Sequence, residues 1–79
     1  MSWNAFIDIR ANGKLNQSEW SQVHKWAEVD QVWSTSGDWD WLLKLKDSVK
    51  SMDDLEQLVF KLRGLGWVSE TRTWWAKAV

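Results

Sequence analysis

The chain has 79 residues, ten basic and eleven acidic, with a formal net charge of −1, so we expect one small domain over 1–79 without the basic surface that direct nucleic-acid binding requires. It has no cysteine and one histidine, which excludes disulfides and argues against a metal site, so a domain this small is expected to gain stability by oligomerising. No apolar run approaches the roughly 18 residues of a membrane span and no signal peptide is visible, so we expect a cytoplasmic protein with no membrane partner. We also expect no cofactor.

Nine tryptophans stand in a chain that has no tyrosine and no proline. One explanation is that tryptophan fills core positions that tyrosine or phenylalanine would otherwise occupy. The other is an aromatic-lined cavity or binding face, since an indole N–H needs a hydrogen-bond partner when it is buried. The composition alone leaves both explanations open.

The first strand is predicted from Trp3 to Arg10, where apolar and polar residues alternate. One face carries Ala5, Ile7 and Ile9, and the other carries Phe6, Asp8 and Arg10. A loop at 11–14 leads to a helix that Asn16 and Glu19 are spaced to cap. The apolar stripe of this helix is Trp20, Val23 and Ala27.

A tight hairpin turn is predicted around Gly37, the residue that can adopt a positive φ without steric cost. The strand before it is predicted over Val32 to Ser36, and the strand after it over Trp39 to Lys46. In the later strand, apolar residues recur at every second position, namely Trp39, Trp41, Leu43 and Leu45. We therefore expect these four on one face, with Asp38 and Asp40 projecting from the other at the hairpin tip.

A second helix is predicted to begin after Ser51, which with Asp54 forms a capping pattern, and to end at Gly64. Its core stripe is Met52, Leu55, Leu58, Val59 and Leu62. Phe60 points away from this stripe, so a domain on its own gives it no packing role. The last strand is predicted from Val68 to Ala76, with Thr71, Thr73 and Trp75 on one face and Arg72, Trp74 and Ala76 on the other.

The order strand–helix–strand–strand–helix–strand predicts an α+β, ferredoxin-like βαββαβ fold, with a four-stranded antiparallel sheet and both helices on one face. Two helices can cover only one side of the sheet. The other side carries Phe6, Leu42 and Trp74 among charged residues, so we expect it to form a dimer interface. Two sheets closing on each other would make a dimeric α/β barrel.

The stretch Ser36-Gly37-Asp38-Trp39-Asp40-Trp41-Leu42-Leu43-Lys44 resembles the strand-turn-strand signature of the ligand-binding domain of Lrp/AsnC transcription regulators. Val68 to Thr73 is similar to the start of that family's last strand, with its Thr-x-Thr. The likeness runs in order from residue 5 to about 76. The chain departs from the family in having Gly66-Trp67 where Pro-Gly is common, and tryptophan where tyrosine or phenylalanine is usual.

The resemblance implies a stand-alone effector domain, because Lrp/AsnC regulators carry an N-terminal helix-turn-helix and this chain starts at the first strand. It also implies dimers that assemble into rings, commonly octamers, with an amino acid bound between dimers near the turn. Full-length Lrp/AsnC regulators are then possible partners. The implied ligand-binding residues are Ser36, Gly37, Asp38, Trp39 and Asp40, with Thr71 and Thr73 from the last strand. An acid of the turn would pair with the ligand ammonium, and backbone N–H groups around Gly37 would hold its carboxylate.

Two alternatives remain at this stage. One is a structural oligomer that binds no ligand, in which the turn acids only stabilise the turn and the tryptophans only fill the core. The other is an enzyme, since similar dimeric barrels include small monooxygenases and isomerases. An enzyme of this kind would need a polar catalytic group inside the barrel. His24 lies on a helix, so only Asp8, Asp40 and Arg10 are available there. Because so few groups are available, we expect no enzymatic activity.

Overall fold

The computed structural model describes residues 3–13 and 17–79, and it confirms the predicted order of elements. The elements are β1 (Trp3–Ala11), α1 (Gln17–His24), β2 (Val29–Ser34), β3 (Trp41–Leu45), α2 (Met52–Arg63) and β4 (Val68–Lys77). The strands form one antiparallel sheet in the order β2-β3-β1-β4. This is the ferredoxin-like arrangement, with β1 in the interior of the sheet and paired on both sides.

The register of β1 with its neighbours separates the two faces of the sheet, since directly paired residues point the same way. Ile7 pairs with Leu43 on β3 and with Thr73 on β4, which places these three on the helix face. We call the opposite side the open face. It carries Phe6, Asp8, Arg10, Trp33, Leu42, Lys44, Glu70, Arg72 and Trp74.

The core lies between the helix face and the two helices. Its strand residues are Ala5, Ile7, Ile9, Val29, Leu43 and Leu45, and its helix residues are Val23, Leu55, Leu58 and Leu62. Each of these is no more than 3% exposed, and Val49 of the connector before α2 joins them at 5%. Alternation in β1 and the spacing of α2 predicted most of this core.

Helix α2 begins and ends where the sequence predicts. The Ser51 hydroxyl accepts a hydrogen bond of 3.1 Å from the Asp54 backbone N–H, which confirms the cap. Gly64 follows the last helical residue in a right-handed conformation, with φ −71°, so its role does not depend on left-handed geometry. Neither α1 nor α2, the helices of the described part of the chain, has the length and apolar content needed to cross a bilayer. The predicted cap at Asn16 and the Trp20 side chain lie outside what the structure describes.

Two residues assigned to core stripes are not core residues. Met52 is 62% exposed because it occupies the first position of α2, at the edge of the contact with the sheet. Ala27 is also exposed, because α1 ends at His24 and the helical spacing does not extend to it. Phe60 is 69% exposed, which confirms that it points away from the α2 stripe.

The predicted bounds of the second and third strands were wrong. β2 starts earlier, at Val29, where it pairs with Leu45, and β3 starts later, at Trp41. The residues between them, 35–40, form a turn rather than a continuation of the ladder. Alternating side chains suggested a strand there, but the backbone of these residues makes its hydrogen bonds within the turn and to β1.

Gly37 has a φ of +110°, a conformation that residues with a Cβ rarely adopt. We predict that Gly37→Ala lowers the free energy of unfolding by about 1–3 kcal/mol, the usual range for such backbone strain. Gly66→Ala is the matched control, because Gly66 has no positive φ and a Cβ there meets no atom within 4 Å. Urea unfolding measures both variants. Equal stability of the two would contradict this account of the turn.

Candidate functional site

The 35–40 turn is closed by two hydrogen bonds from Thr35. Its backbone N–H donates to the Asp40 carbonyl at 3.0 Å, and its hydroxyl donates to the Trp39 carbonyl at 2.6 Å. The positive φ of Gly37 confirms the predicted chain reversal. Ser36, Gly37 and Asp38 are exposed at the tip.

Hydrogen bonds to the end of β1 hold the turn in place. The Asp40 backbone N–H donates to the Ile9 carbonyl at 3.0 Å, and the Ala11 N–H donates to Asp40 Oδ2 at 2.8 Å. Arg10 Nε donates to the Asp38 carbonyl at 3.0 Å. The turn between β2 and β3 is therefore attached to the end of β1 by hydrogen bonds and is not a free loop.

The two acids of the turn have different roles. Asp40 uses Oδ2 to accept from the β1 backbone, so part of its carboxylate is committed to the fold. The Asp38 side chain is exposed and accepts no hydrogen bond from another described residue; only its carbonyl is engaged, by Arg10. Asp38 is consequently the turn acid whose carboxylate is available to a cation from solution.

The alternation predicted that Trp39 shares a face with Trp41, and this prediction was wrong. The Trp39 ring lies against two guanidinium groups of the open face, with 4.6 Å from Arg10 Cζ and 5.0 Å from Arg72 Cζ to the ring centroid. Trp41 instead packs against the core, because β3 and its alternation begin only there. Each cation–π contact of this kind contributes about 0.5–1 kcal/mol when exposed.

Asp8 is the one charged residue among those that the structure describes as buried, at 6% exposure. Its Oδ2 accepts hydrogen bonds from Arg72 Nε at 2.9 Å, Arg72 Nη2 at 2.7 Å and Trp74 Nε1 at 2.9 Å. Burial of a carboxylate is costly unless it is paired and hydrogen-bonded, and these donors meet that requirement. The sequence offered a signal for the pair, because Asp8 and Arg72 both lie on the strand face opposite the core residues, but their cross-strand register was not known.

Contacts continue on both sides of this pair. Arg10 Nη1 forms an ion pair of 2.9 Å with Glu70 Oε1. Trp74 stacks on Phe6 with the ring centroids 4.4 Å apart and the planes 12° from parallel. A continuous series of contacts thus leads from the turn to the open-face aromatics. We call Glu70, Arg10, Trp39, Arg72, Asp8, Trp74 and Phe6 the open-face network.

The residues proposed for a dimer interface share the open face. Phe6 and Leu42 are half-buried and Trp74 is 36% exposed. Trp33 of β2 lies beside Leu42 and is 40% exposed, so an aromatic residue of the second strand joins them. Their common location agrees with the prediction, while the interface itself stays a prediction.

Thr71 and Thr73 lie on the helix face, because they pair with Ile9 and Ile7. Arg63 of α2 donates from Nε to Thr71 Oγ1 at 3.4 Å. Trp39 lies on the other side of the sheet, so the contacts within one chain do not bring these threonines together with it. Strand alternation therefore divides the predicted ligand-binding residues into two groups.

Clefts occur at the end of the sheet remote from the turn. One of about 490 Å³ is lined by Asn4, Asp30, Lys44, Leu45, Lys46 and Asp47. Another of about 450 Å³ is lined by Trp3, Lys50, Met52 and Trp75. Within residues 3–13 and 17–79, no group of three or more histidine or acidic side chains is arranged to hold a metal ion.

The sequence model of the Lrp/AsnC ligand binding domain matches residues 4–76. The chain therefore belongs to this family, a family of regulatory effector-binding domains and not of enzymes. No curated protein sequence matches it. The family assignment confirms the resemblance carried by the Ser36–Lys44 stretch.

Solved structures with this fold come from several organisms. A Thermus thermophilus protein superposes with a TM-score of 0.81 at 24% identity, covering 99% of this chain and 96% of that one. A transcriptional regulator from Neisseria meningitidis, solved as an L-Met complex, superposes with a TM-score of 0.78 at 21% identity. The match covers 96% of this chain and 50% of the regulator's chain. AsnC from E. coli superposes with a TM-score of 0.79 at 22% identity, and the match covers 98% of this chain and 52% of the AsnC chain. The chain thus spans about half the length of these two regulators, and the likeness confirms the ferredoxin-like fold.

The contact between Asp40 and Ala11 leads to a test of the turn alone. We predict that Asp40→Ala lowers the free energy of unfolding by about 0.5–1.5 kcal/mol, since it removes a hydrogen bond to the β1 backbone. Asp38→Ala is the matched control and should change stability by less than about 0.5 kcal/mol, as exposed substitutions usually do. Thermal or urea unfolding compares the two. A larger loss for Asp38→Ala would show that the roles of the two acids are reversed.

Proposed function

We propose that the chain is a regulatory module that associates with copies of itself and binds a small effector, an amino acid, at the 35–40 turn. The observation that carries this proposal is the exposed carboxylate of Asp38, which accepts no hydrogen bond from another described residue, on a turn that hydrogen bonds attach to β1. Preorganised groups bind a ligand with less loss of conformational entropy. The L-Met complex of the Neisseria meningitidis relative supports an amino acid as the class of effector.

In the proposed complex, the Asp38 carboxylate pairs with the ligand ammonium and backbone N–H groups around Gly37 hold the ligand carboxylate. Ser36 and Trp39 border the ligand on either side of these groups. Thr71 and Thr73 lie on the other face of the sheet, so we assign them to the site as contributions from a neighbouring copy. A ligand held in this way would bridge subunits.

We further propose that the open face closes against a second copy to form a dimeric α/β barrel. Phe6, Leu42, Trp33 and Trp74 expose apolar surface there, and apolar surface of this kind is typical of the centre of a protein interface. Phe60, exposed on α2, is remote from that face and is a candidate for contacts between dimers. Such contacts would build a higher, octamer-like ring, which could also include full-length Lrp/AsnC regulators.

A second candidate function is a structural oligomer without a ligand. The use of Asp40 as a backbone acceptor favours it, because that acid has a structural role in the isolated chain. The two functions differ in a measurable property, the response of stability to added amino acids.

A thermal-shift screen over the twenty amino acids tests effector binding. A ligand at a hundred times its dissociation constant stabilises the native state by about 2.7 kcal/mol. We predict such a shift for at least one amino acid and its loss in Asp38→Asn, which removes the charge that meets the ammonium. Glu56→Gln is the control with the same change of charge, at an exposed position of α2, and should keep the full shift.

The outcomes of the screen separate the two functions. A shift that persists unchanged in Asp38→Asn would place the effector elsewhere. No shift with any amino acid would favour the structural oligomer.

Two charge insertions test the assembly. Leu42→Asp is predicted to abolish dimers, because it places an unpaired charge inside a closed apolar interface. Phe60→Asp is predicted to keep the dimer and remove larger assemblies, since Phe60 lies on α2 and not on the open face. Light scattering at micromolar concentration gives the mass of each. A wild-type protein of single-chain mass would contradict the dimer, and large assemblies of Phe60→Asp would contradict the proposed contact between dimers.

A further inference from the structure

We propose that Asp8 and Arg72 are positioning residues for the 35–40 turn, and that they act on it through the ring of Trp39. The consequence for the effector rests on the proposed function, whereas the effect on the turn does not. Neither residue belongs to the turn, and both lie on the open face. The inference follows the open-face network step by step.

The first step is the immobilisation of Arg72 by Asp8. The Arg72 side chain is 59% exposed, and an exposed arginine ordinarily samples many rotamers. Here Nε and Nη2 both donate to one buried oxygen, Asp8 Oδ2. Two charge-assisted hydrogen bonds to one acceptor restrict the position of the guanidinium more than a single bond would.

The second step is the contact of two restrained cations with Trp39. Arg72 is held by Asp8, and Arg10 is held by Glu70 and by the Asp38 carbonyl. Both guanidinium carbons lie within 5.0 Å of the Trp39 ring centroid. Cations at that distance attract the face of an indole ring, so the ring has one favoured place.

The third step transmits the position of the ring to the backbone of the turn. The Trp39 carbonyl accepts the Thr35 hydroxyl, and the next residue, Asp40, bonds to β1 through its N–H and its carboxylate. A displaced ring would rotate the backbone between these bonds. The exposed carboxylate of Asp38 stands one residue before Trp39, so its direction depends on the same ring.

Asp8 also connects the turn with the open-face aromatics. The oxygen that holds Arg72 also accepts the Trp74 indole N–H, and Trp74 stacks on Phe6. A movement of Trp74 would therefore change the donors on the atom that fixes Arg72. This places the control of the turn within the surface on which a second copy is proposed to close.

Hydrogen exchange of the segment 35–41, followed by mass spectrometry, tests the positioning without any ligand. Arg72→Lys keeps the charge but loses the paired donors, and Asp8→Asn keeps the shape but loses the charge. Each is expected to raise exchange in 35–41 about tenfold while the α2 segment, 52–63, exchanges as in the wild type. Arg63→Lys is the matched control, because Arg63 bonds Thr71 on the helix face, and it should leave 35–41 unchanged.

Two substitutions of Trp39 separate the ring contact from mere bulk. Trp39→Tyr retains an aromatic face for both guanidinium groups and should keep slow exchange in 35–41. Trp39→Leu retains apolar bulk without that face and should raise exchange as Arg72→Lys does. Equal exchange in the two variants would overturn the role of the ring.

Binding of the amino acid found in the screen gives the second readout. Arg72→Lys is expected to weaken its affinity about fivefold, a difference of about 1 kcal/mol. If no amino acid binds the wild type, the proposed function fails and the exchange of 35–41 still decides the positioning. Unchanged exchange in Arg72→Lys overturns the positioning whatever the ligand result, and Arg72→Lys decides the matter if Asp8→Asn does not fold.

Discussion

Burial of the Asp8 carboxylate on the open face requires donors at fixed places, and it ties the register of β4 to that of β1. Arg72 lies directly opposite Asp8 in the ladder, and Trp74 reaches the same oxygen from two residues further along β4. A slip of one residue would turn these side chains toward the helices and would leave the carboxylate unpaired. Apolar burial on the helix face sets the same register independently, so the two faces specify one pairing.

The sheet separates two kinds of packing. On the helix face, aliphatic residues such as Ile7 and Leu43 belong to the core and have no exposed surface. On the open face, a stacked aromatic pair and several ion pairs lie among apolar side chains that remain partly accessible. An aliphatic core gives stability without directional contacts, whereas hydrogen-bonded charges and ring stacking fix directions. The exposed turn obtains its orientation from the second kind.

Much of the fold was predictable because it depends on patterns that are local in sequence. Alternation in β1 identified the residues of both faces, Ser51 marked the start of α2, and Gly37 marked the chain reversal. The position of Trp39 was not predictable in this way. Alternation is informative only where a strand continues. The Trp39 carbonyl instead accepts a hydrogen bond from the Thr35 hydroxyl within the turn, and the ladder of β3 begins only at Trp41.

The location of the turn at 35–40 was predictable, whereas the hydrogen bonds of its side chains were not. The family signature located the turn, yet Asp38 and Asp40 have the same chemistry in the sequence. The acid whose carboxylate accepts a hydrogen bond from β1 is set by the position of the Ala11 N–H. Ala11 is 29 positions away from Asp40 in the sequence. The pairing of Asp8 with Arg72 spans 64 positions and depends on how β1 and β4 align. Neither separation leaves a periodic signal in the chain.

The sheet order β2-β3-β1-β4 leaves β2 and β4 as its two edge strands. An edge strand presents backbone N–H and C=O groups that can pair with a strand of another molecule and begin aggregation. β4 is the longer edge, with ten residues, and it carries Glu70, Arg72 and Lys77 at intervals along its length. Charged side chains on an edge strand are one of the features by which natural sheets discourage such pairing. The charged residues of β4 therefore also oppose growth of the sheet from its own edge.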